Sequence, residues 1–234
     1  MNNQYICCLD FECDGSNPNT CNPVQLSSLI IHPRTLEIVD GSEFNTFIKP
    51  EGFDLPDYFE AHKETIEWHA RTRKCTVGEI LELWKNAPSQ KIVWANFITY
   101  LEKYHNNKGK NKSMFSAPII MGYNILKFDC VIIERLSQKY KNIDSRGQSN
   151  IFYPRDRVDL INYSWTWFEN MKDPATYSMD VLRDFFGYSQ ADAHDSMADV
   201  RFTAKLFISF QNLHRKIAQK TQFANAFIQK ESNE

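Results

Sequence analysis

Residues 9–13, which read Leu-Asp-Phe-Glu-Cys, decide how this chain folds. They follow Tyr-Ile-Cys-Cys at residues 5–8, an uncharged apolar run that favours a buried strand. Alternate side chains of a strand share a face, so Asp10 and Glu12 should point the same way and Phe11 into the opposite layer. Two neighbouring carboxylates repel each other and are costly at the end of a buried strand unless a cation neutralises them.

The pair therefore predicts a site for Mg²⁺ or Mn²⁺, the divalent ions that prefer oxygen ligands. The alternative is a pair of solvated acids at a strand end. For an Asp-x-Glu motif taken alone, that alternative is the commoner case. The decision between the two depends on the rest of the chain.

Length and composition place the chain among ordinary globular proteins. It has 234 residues, 42% hydrophobic and 24% charged, enough for one sizeable domain with an ample core or for two small ones. The net charge of −2 means that a nucleic-acid ligand would need local basic patches and metal ions rather than overall charge. The N-terminus lacks the features of a signal peptide, no apolar run reaches membrane-spanning length, and the six cysteines form no Cys-x-x-Cys pair. These features predict an intracellular protein with reduced cysteines, cytoplasmic or, in a eukaryote, nuclear.

The hydrophobic pattern predicts an α/β fold with a mixed sheet and helices on both faces. Three strands joined by short connections suggest an antiparallel meander, and a helical region follows, where Thr76 and Glu79 form a capping box. The predicted strands are residues 5–13, 24–32, 43–49, 118–121 and 156–161. The predicted helices lie between 59 and 104, at 127–140, 164–171 and 179–186, and from 196 past 210. Residues 103–113 form a basic loop that is either plain solvated surface or a phosphate contact.

Two further stretches carry candidate site residues. Asp129 follows a strand and a turn at the start of a helix, and the amide of Asn124 in that turn could orient a neighbouring carboxylate. His194 lies on a loop just ahead of the last helix, and Asp199 lies in the first turns of that helix. A loop histidine near an acidic cluster can exchange protons at neutral pH. Taken singly, Asp129 and Asp199 are also explained as acids favoured at helix starts, and His194 as an exposed loop residue.

Taken together, these motifs resemble the DEDDh family of 3′–5′ exonucleases, the DnaQ-like proofreading group. Asp10, Glu12, Asp129 and Asp199 match its four acids, and His194, five residues before the last acid, matches its histidine. The tyrosine subtype would carry Tyr where this chain has Asp195. Residues 177–182, Tyr-Ser-Met-Asp-Val-Leu, also resemble the helix before the third motif. The resemblance spans most of residues 5–210.

The resemblance implies the ribonuclease-H-like fold with a mixed five-stranded sheet. It implies one exonuclease domain over residues 1–234, with a core at about 4–212 and a helical extension at about 213–234. The substrate would be nucleic acid with a free 3′ end, with a lean to DNA, and the product a nucleoside 5′-monophosphate. A polymerase or another partner in replication, repair or RNA processing is possible.

The resemblance also assigns roles within the site. Two Mg²⁺ or Mn²⁺ ions would be held by the four acids, with Asp10 bridging both and His194 accepting the proton of the attacking water. The residues expected to contact the terminal nucleotide are Phe11, Cys13, Asn124, Phe128 and Met179.

The sequence differs from the family pattern in two places that concern substrate binding. Many relatives have a His-Gly-Ile or Thr-Gly-Ile stretch near the substrate, for which the chain offers only Ile-Glu-Trp-His at residues 66–69, and the helical region before Pro118 is expanded. One competing reading is an inactive family member that only binds nucleic acid or a polymerase, although such a protein would be expected to have lost one of the five residues. Another is a resolvase or ribonuclease H on the same fold, against which the histidine motif argues.

Overall fold

A mixed five-stranded sheet organises the chain in the computed structural model, which describes residues 4–106, 113–189 and 195–221. The strands are β1 Ile6–Cys13, β2 Pro23–Ile31, β3 Phe44–Phe47, β4 Ile119–Gly122 and β5 Arg157–Asp159. The helices are α1 Tyr58–Thr72, α2 Val77–Asn86, α3 Gln90–Glu102, α4 Asp129–Lys139, α5 Leu160–Phe168, α6 Met179–Phe185 and α7 Ser196–Thr221, with a short 3-10 helix at Met114–Ser116.

The strand order is β3-β2-β1-β4-β5, with β1 at the centre. Strands β1, β2 and β3 form the predicted antiparallel meander, whereas β4 and β5 join the sheet in parallel with β1. Gly122 ends β4 where no side chain fits, because a Cβ there would lie 2.9 Å from the carbonyl oxygen of Leu9. The turn after β4 therefore passes close to β1 just before its acidic pair, and the predicted fold class is confirmed.

Helices cover both faces of the sheet, and β1 contributes to both cores by strict alternation. Leu9 and Phe11 belong to the core built with α3 and α4, while Ile6 and Cys8 belong to the core built with α5, α6 and α7. The alternation continues to the strand end, so Asp10 and Glu12 lie on the side of α7. This places the acids between the sheet and the first turn of the last helix.

A third apolar cluster joins α1 and α2 to the edge of the sheet, around Val24, Ile66 and Trp84. The predicted capping box is present at the start of α2, with the Thr76 side chain accepting the amide of Glu79. Helix α1 is fastened to the end of β1 by its side chains: the Nε2 of His69 lies 2.8 Å from the carbonyl oxygen of Cys13. Helix α1 thus stands directly beside the Asp10–Glu12 pair.

The structure corrects the predicted elements around β5. The strand ends at Asp159 rather than at residue 161, and α5 begins at Leu160 rather than at residue 164. The cause is the Asp159 carboxylate, which accepts the amide of Ile161 as a helix cap and also the amides of Asn124 and Leu126. One buried acid therefore stops the strand, starts the helix and fixes the turn after β4.

Two predicted segments fall partly outside the residues that the structure describes. The basic loop at 103–113 includes residues 107–112, and the predicted C-terminal extension includes residues 222–234. Helix α7 itself continues to Thr221, well past residue 210. Among the described residues, no helix combines the length and apolar character needed to cross a membrane. The six cysteines are free thiols.

Candidate active site

Three of the predicted acids meet at the centre of the sheet. Asp10, Glu12 and Asp199 each offer a carboxylate oxygen, and these three atoms all lie within 4.8 Å of one another. The register of α7 against β1 brings them together, because the Ser196 hydroxyl donates a hydrogen bond of 2.9 Å to the carbonyl oxygen of Asp10. Asp199 then faces the strand from the first turn of the helix. The alternation of side chains along β1 and the position of the first turn of α7 thus bring the three acids together.

The fourth acid, Asp129, is held in a different way. It is buried, with 3% of its surface exposed, at the start of α4. Its Oδ1 accepts the backbone amide of Phe11 at 2.9 Å. The carboxylate of Asp129 therefore lies against β1 at the residue between Asp10 and Glu12. The negative charge of Asp129 is near enough to contribute to raising the pKa of Asp10. All four predicted acids therefore share one electrostatic environment.

That environment disfavours negative charge. Burial, followed by the charge of Asp199, raises the pKa of Glu12 to about 8, although Arg73 opposes the change. Burial also raises the pKa of Asp129 to about 7. The pKa of Asp10 lies well above its usual range because of burial and then the charges of Asp129 and Glu12. A divalent cation would offset this repulsion, and a donor set made only of carboxylate oxygens fits Mg²⁺ or Mn²⁺.

Two arginines that the sequence did not single out stand next to the acids. Arg183 of α6 pairs with the carboxylate of Asp199. Arg73, which follows α1, donates to Asp195 Oδ2 at 3.1 Å and also bonds the side chain of Gln25. Their role could not be read from spacing, because both partners are more than ten residues away along the chain.

A pocket of about 350 Å³ opens beside the acids. It is lined by Phe11, Glu12, Cys13, Gly15, Ser16, Glu64, Thr65, Trp68 and Phe128. The wall that α1 contributes, with Glu64, Thr65 and Trp68, lines the same pocket as Glu12. The clue in the sequence was the Trp at position 68, but its helical spacing did not distinguish a pocket wall from core.

The remaining predicted residues are placed as follows. Phe11, Cys13 and Phe128 line the pocket, whereas Asn124 and Met179 do not. Asn124 is exposed in the turn with a φ of 57°, and it bonds Asp159 through its backbone amide; among the described residues its side-chain amide bonds no carboxylate. Met179 is half-buried against the core beneath α5, α6 and α7. His194 lies outside the described residues, in the gap at 190–194.

Comparisons with solved structures identify the fold. The chain is similar to E. coli exonuclease I in complex with a dT13 oligonucleotide, with a TM-score of 0.63 and 15% identity over 93% of this chain and 43% of that one. It is also similar to a 3′-exonuclease described for 3′-end-specific recognition of a histone mRNA stem-loop, with a TM-score of 0.57 and 14% identity over 91% of this chain and 83% of that one. A third neighbour, cell-death related nuclease 4, has a TM-score of 0.59 and 12% identity over 90% of this chain and 64% of that one.

The chain shares its fold with these three nucleases, so the ribonuclease-H-like fold predicted from the motifs is confirmed. The chain spans 43% of the length of exonuclease I. The sequence matches no protein-family model and no curated protein.

Proposed function

We propose that this chain is a metal-dependent 3′–5′ exonuclease of the DEDDh type, which removes nucleoside 5′-monophosphates from the 3′ end of a nucleic acid. The observation that carries the proposal is the convergence of Asp10, Glu12 and Asp199 within 4.8 Å, with Asp129 packed against the same strand. The fold it shares with known nucleases supports the same reading.

The acids would hold two Mg²⁺ or Mn²⁺ ions, which supply positive charge at the scissile phosphate and promote ionisation of the attacking water. Asp10, on which the charges of Asp129, Glu12 and Asp199 all act, would serve both ions. Glu12 and Asp199 would complete the site on the side of the attacking water, and Asp129 would support the other. The backbone amide of Phe11 keeps Asp129 in position by its hydrogen bond of 2.9 Å.

His194 would accept the proton of the attacking water, because it precedes Asp199 by five residues and a neutral imidazole is a suitable base near pH 7. This role is proposed from the sequence motif. The adjacent Asp195 is held by both of its carboxylate oxygens. Its Oδ2 accepts a hydrogen bond from Arg73, and its Oδ1 accepts the amides of Met197 and Ala198 as the cap of α7.

The pocket beside Glu12 is proposed to hold the terminal nucleotide, with aromatic side chains against the base. Trp68 is half-buried in the wall that α1 contributes, and Phe11 and Phe128 face the same space. Stacking of a base on an aromatic ring tolerates any sequence, as an exonuclease requires.

Replacing Trp68 by Ala should therefore raise KM by about 5- to 100-fold, the range expected when one base-stacking contact is lost, with a smaller effect on kcat. Trp165→Ala is the matched control, because Trp165 is 59% exposed on α5 and does not line the pocket. Steady-state kinetics on a short single strand measure both values. An unchanged KM for Trp68→Ala would place the base elsewhere.

Labelled single-stranded DNA, duplex DNA and RNA, digested side by side with Mg²⁺, test the proposed function. A 5′-labelled strand should shorten as a ladder, with a lean to DNA, and the reaction should stop with excess chelator. Activity that persists in chelator would contradict the metal site. Rapid cutting of a strand with a blocked 3′ end would indicate an endonuclease, and metal-stimulated binding without cleavage would indicate the inactive alternative. A polymerase or other processing partner stays a prediction.

A further inference from the structure

Arg183 of α6 is a charged residue in an apolar setting. Only 4% of its surface is exposed, and its guanidinium carbon lies 4.7 Å from the ring centre of Phe202. Arginine is rarely buried to this degree unless it is paired. Its partner is Asp199: Nη2 donates to Oδ1 of that carboxylate, and Nη1 donates to the carbonyl oxygen of Ser189 at 3.4 Å.

Stability alone does not account for this arrangement. Removing both charges of an ion pair from water costs about as much as their attraction returns, so a buried pair is a weak source of stability. The hydrogen bonding of Arg183 is also incomplete, since its buried Nε has no partner among the described residues. The feature that distinguishes this pair is its acid, which is one of the three whose oxygens converge within 4.8 Å.

We propose that Arg183 is a positioning residue for the metal site: it holds the carboxylate of Asp199 in place through Oδ1 and offsets part of the negative charge of the acidic cluster. The inference rests on the proposed function, because it takes Asp199 as a metal ligand. In the metal-free protein the guanidinium of Arg183 is in direct contact with that carboxylate. A bound metal ion would then add positive charge to a site that already holds the positive charge of Arg183.

This role has a consequence of definite sign. Removing the charge of Arg183 leaves the acidic cluster more negative, which should strengthen its attraction for a divalent ion. It also removes one contact that orients the Asp199 side chain, which should weaken metal binding by less than about tenfold, since a short side chain has little rotamer entropy to lose. The loss of a full charge in contact with the metal ligand Asp199 has the larger effect on metal affinity. Metal should therefore bind more tightly, while the metal-free protein becomes less stable.

The experiment compares thermal unfolding of the whole chain with and without Mn²⁺, and Mn²⁺ binding by calorimetry, for wild type, Arg183→Met and Arg183→Lys. Arg183→Met should unfold at a lower temperature without metal, gain more from Mn²⁺ than the wild type, and bind Mn²⁺ about three- to tenfold more tightly. Arg183→Lys keeps the charge, so its Mn²⁺ affinity should stay within about threefold of wild type. It also allows the comparison if the Met variant does not fold.

Arg157→Met is the matched control. Arg157 likewise has a buried Nε without a partner among the described residues. It pairs at 2.6 Å with Glu134, an acid that does not belong to the cluster of Asp10, Glu12 and Asp199. Its Mn²⁺ affinity should equal that of wild type. Equal affinities for Arg183→Met and wild type, or equally altered affinities for the Met and Lys variants, would refute the role of Arg183. Absence of Mn²⁺ binding by the wild type would instead refute the proposed function itself.

Discussion

Replacing Asp10 by Asn should reduce turnover by about 10³-fold or more while leaving the metal-free protein at least as stable as wild type. The first part follows because a bound metal ion contributes several kcal/mol of transition-state stabilisation, and each 1.4 kcal/mol is a factor of about ten. The second part follows because the carboxyl of Asp10 is destabilised where it lies. Its pKa is held well above the usual range by burial and by Asp129 and Glu12. The neutral amide relieves that repulsion.

The same reasoning gives a pH dependence for the metal-free protein. Because the pKa of Glu12 is raised to about 8, the folded state holds this proton more tightly than the unfolded state does. The resulting stabilisation is complete below the unfolded pKa of about 4.3 and is lost as the pH rises through about 8. Denaturant unfolding without metal should therefore show stability falling between pH 5 and pH 8, by about 2–4 kcal/mol from this group. Glu12→Gln should flatten that part of the curve.

Asp14, the residue directly after β1, offers a matched control for Asp10. Its carboxylate is also buried, but it accepts hydrogen bonds from the Asn22 amide at 2.7 Å and from the Tyr58 hydroxyl at 2.9 Å. Asp14→Asn should therefore cost about 1–3 kcal/mol, because an amide cannot accept all of these bonds. If Asp10→Asn destabilised the metal-free protein as much as Asp14→Asn, Asp10 would be a structural acid, and the metal site would be contradicted.

The sequence predicted well those features that depend on local periodicity. The two-residue period of β1 was enough to assign Asp10 and Glu12 to one face and Phe11 to the other, because side-chain direction in a strand follows from the backbone alone. The capping box at Thr76 and Glu79 was readable for the same reason, since its partners lie within one helical turn.

The features that were missed depend on contacts between residues far apart in the chain. Asp159 ends β5 early because its carboxylate accepts amides more than 30 residues away, at Asn124 and Leu126. Trp68 lines the pocket because α1 is fastened to the carbonyl oxygen of Cys13 through His69, a contact across 56 residues. No window of the sequence contains both partners of such a contact. Asp129 and Asp199 could be assigned to the same site as the Asp10–Glu12 pair only because the family resemblance supplied the long-range pairing.

His194→Ala should lower turnover by about 10²- to 10⁴-fold, the usual contribution of a positioned general base, with little change in Mn²⁺ affinity. The affinity should hold because four carboxylates, and not this histidine, are the proposed ligands. As a base, His194 must be neutral to accept a proton, and free histidine titrates near pH ~6.5. Activity of the wild type should therefore fall on the acid side as the imidazole becomes protonated.

Turnover measured against pH at saturating metal distinguishes this role from a structural one. In His194→Ala the acid limb that belongs to the imidazole should disappear, and activity should recover partly at high pH, where hydroxide forms without a base. His32→Ala is the control, because His32 packs against Tyr5 at the opposite end of β1 from the acids. Its profile should match wild type. Near-full activity of His194→Ala with an unchanged acid limb would show that the limb reports the carboxylates or the ionising water, and that His194 takes no part in the proton transfer.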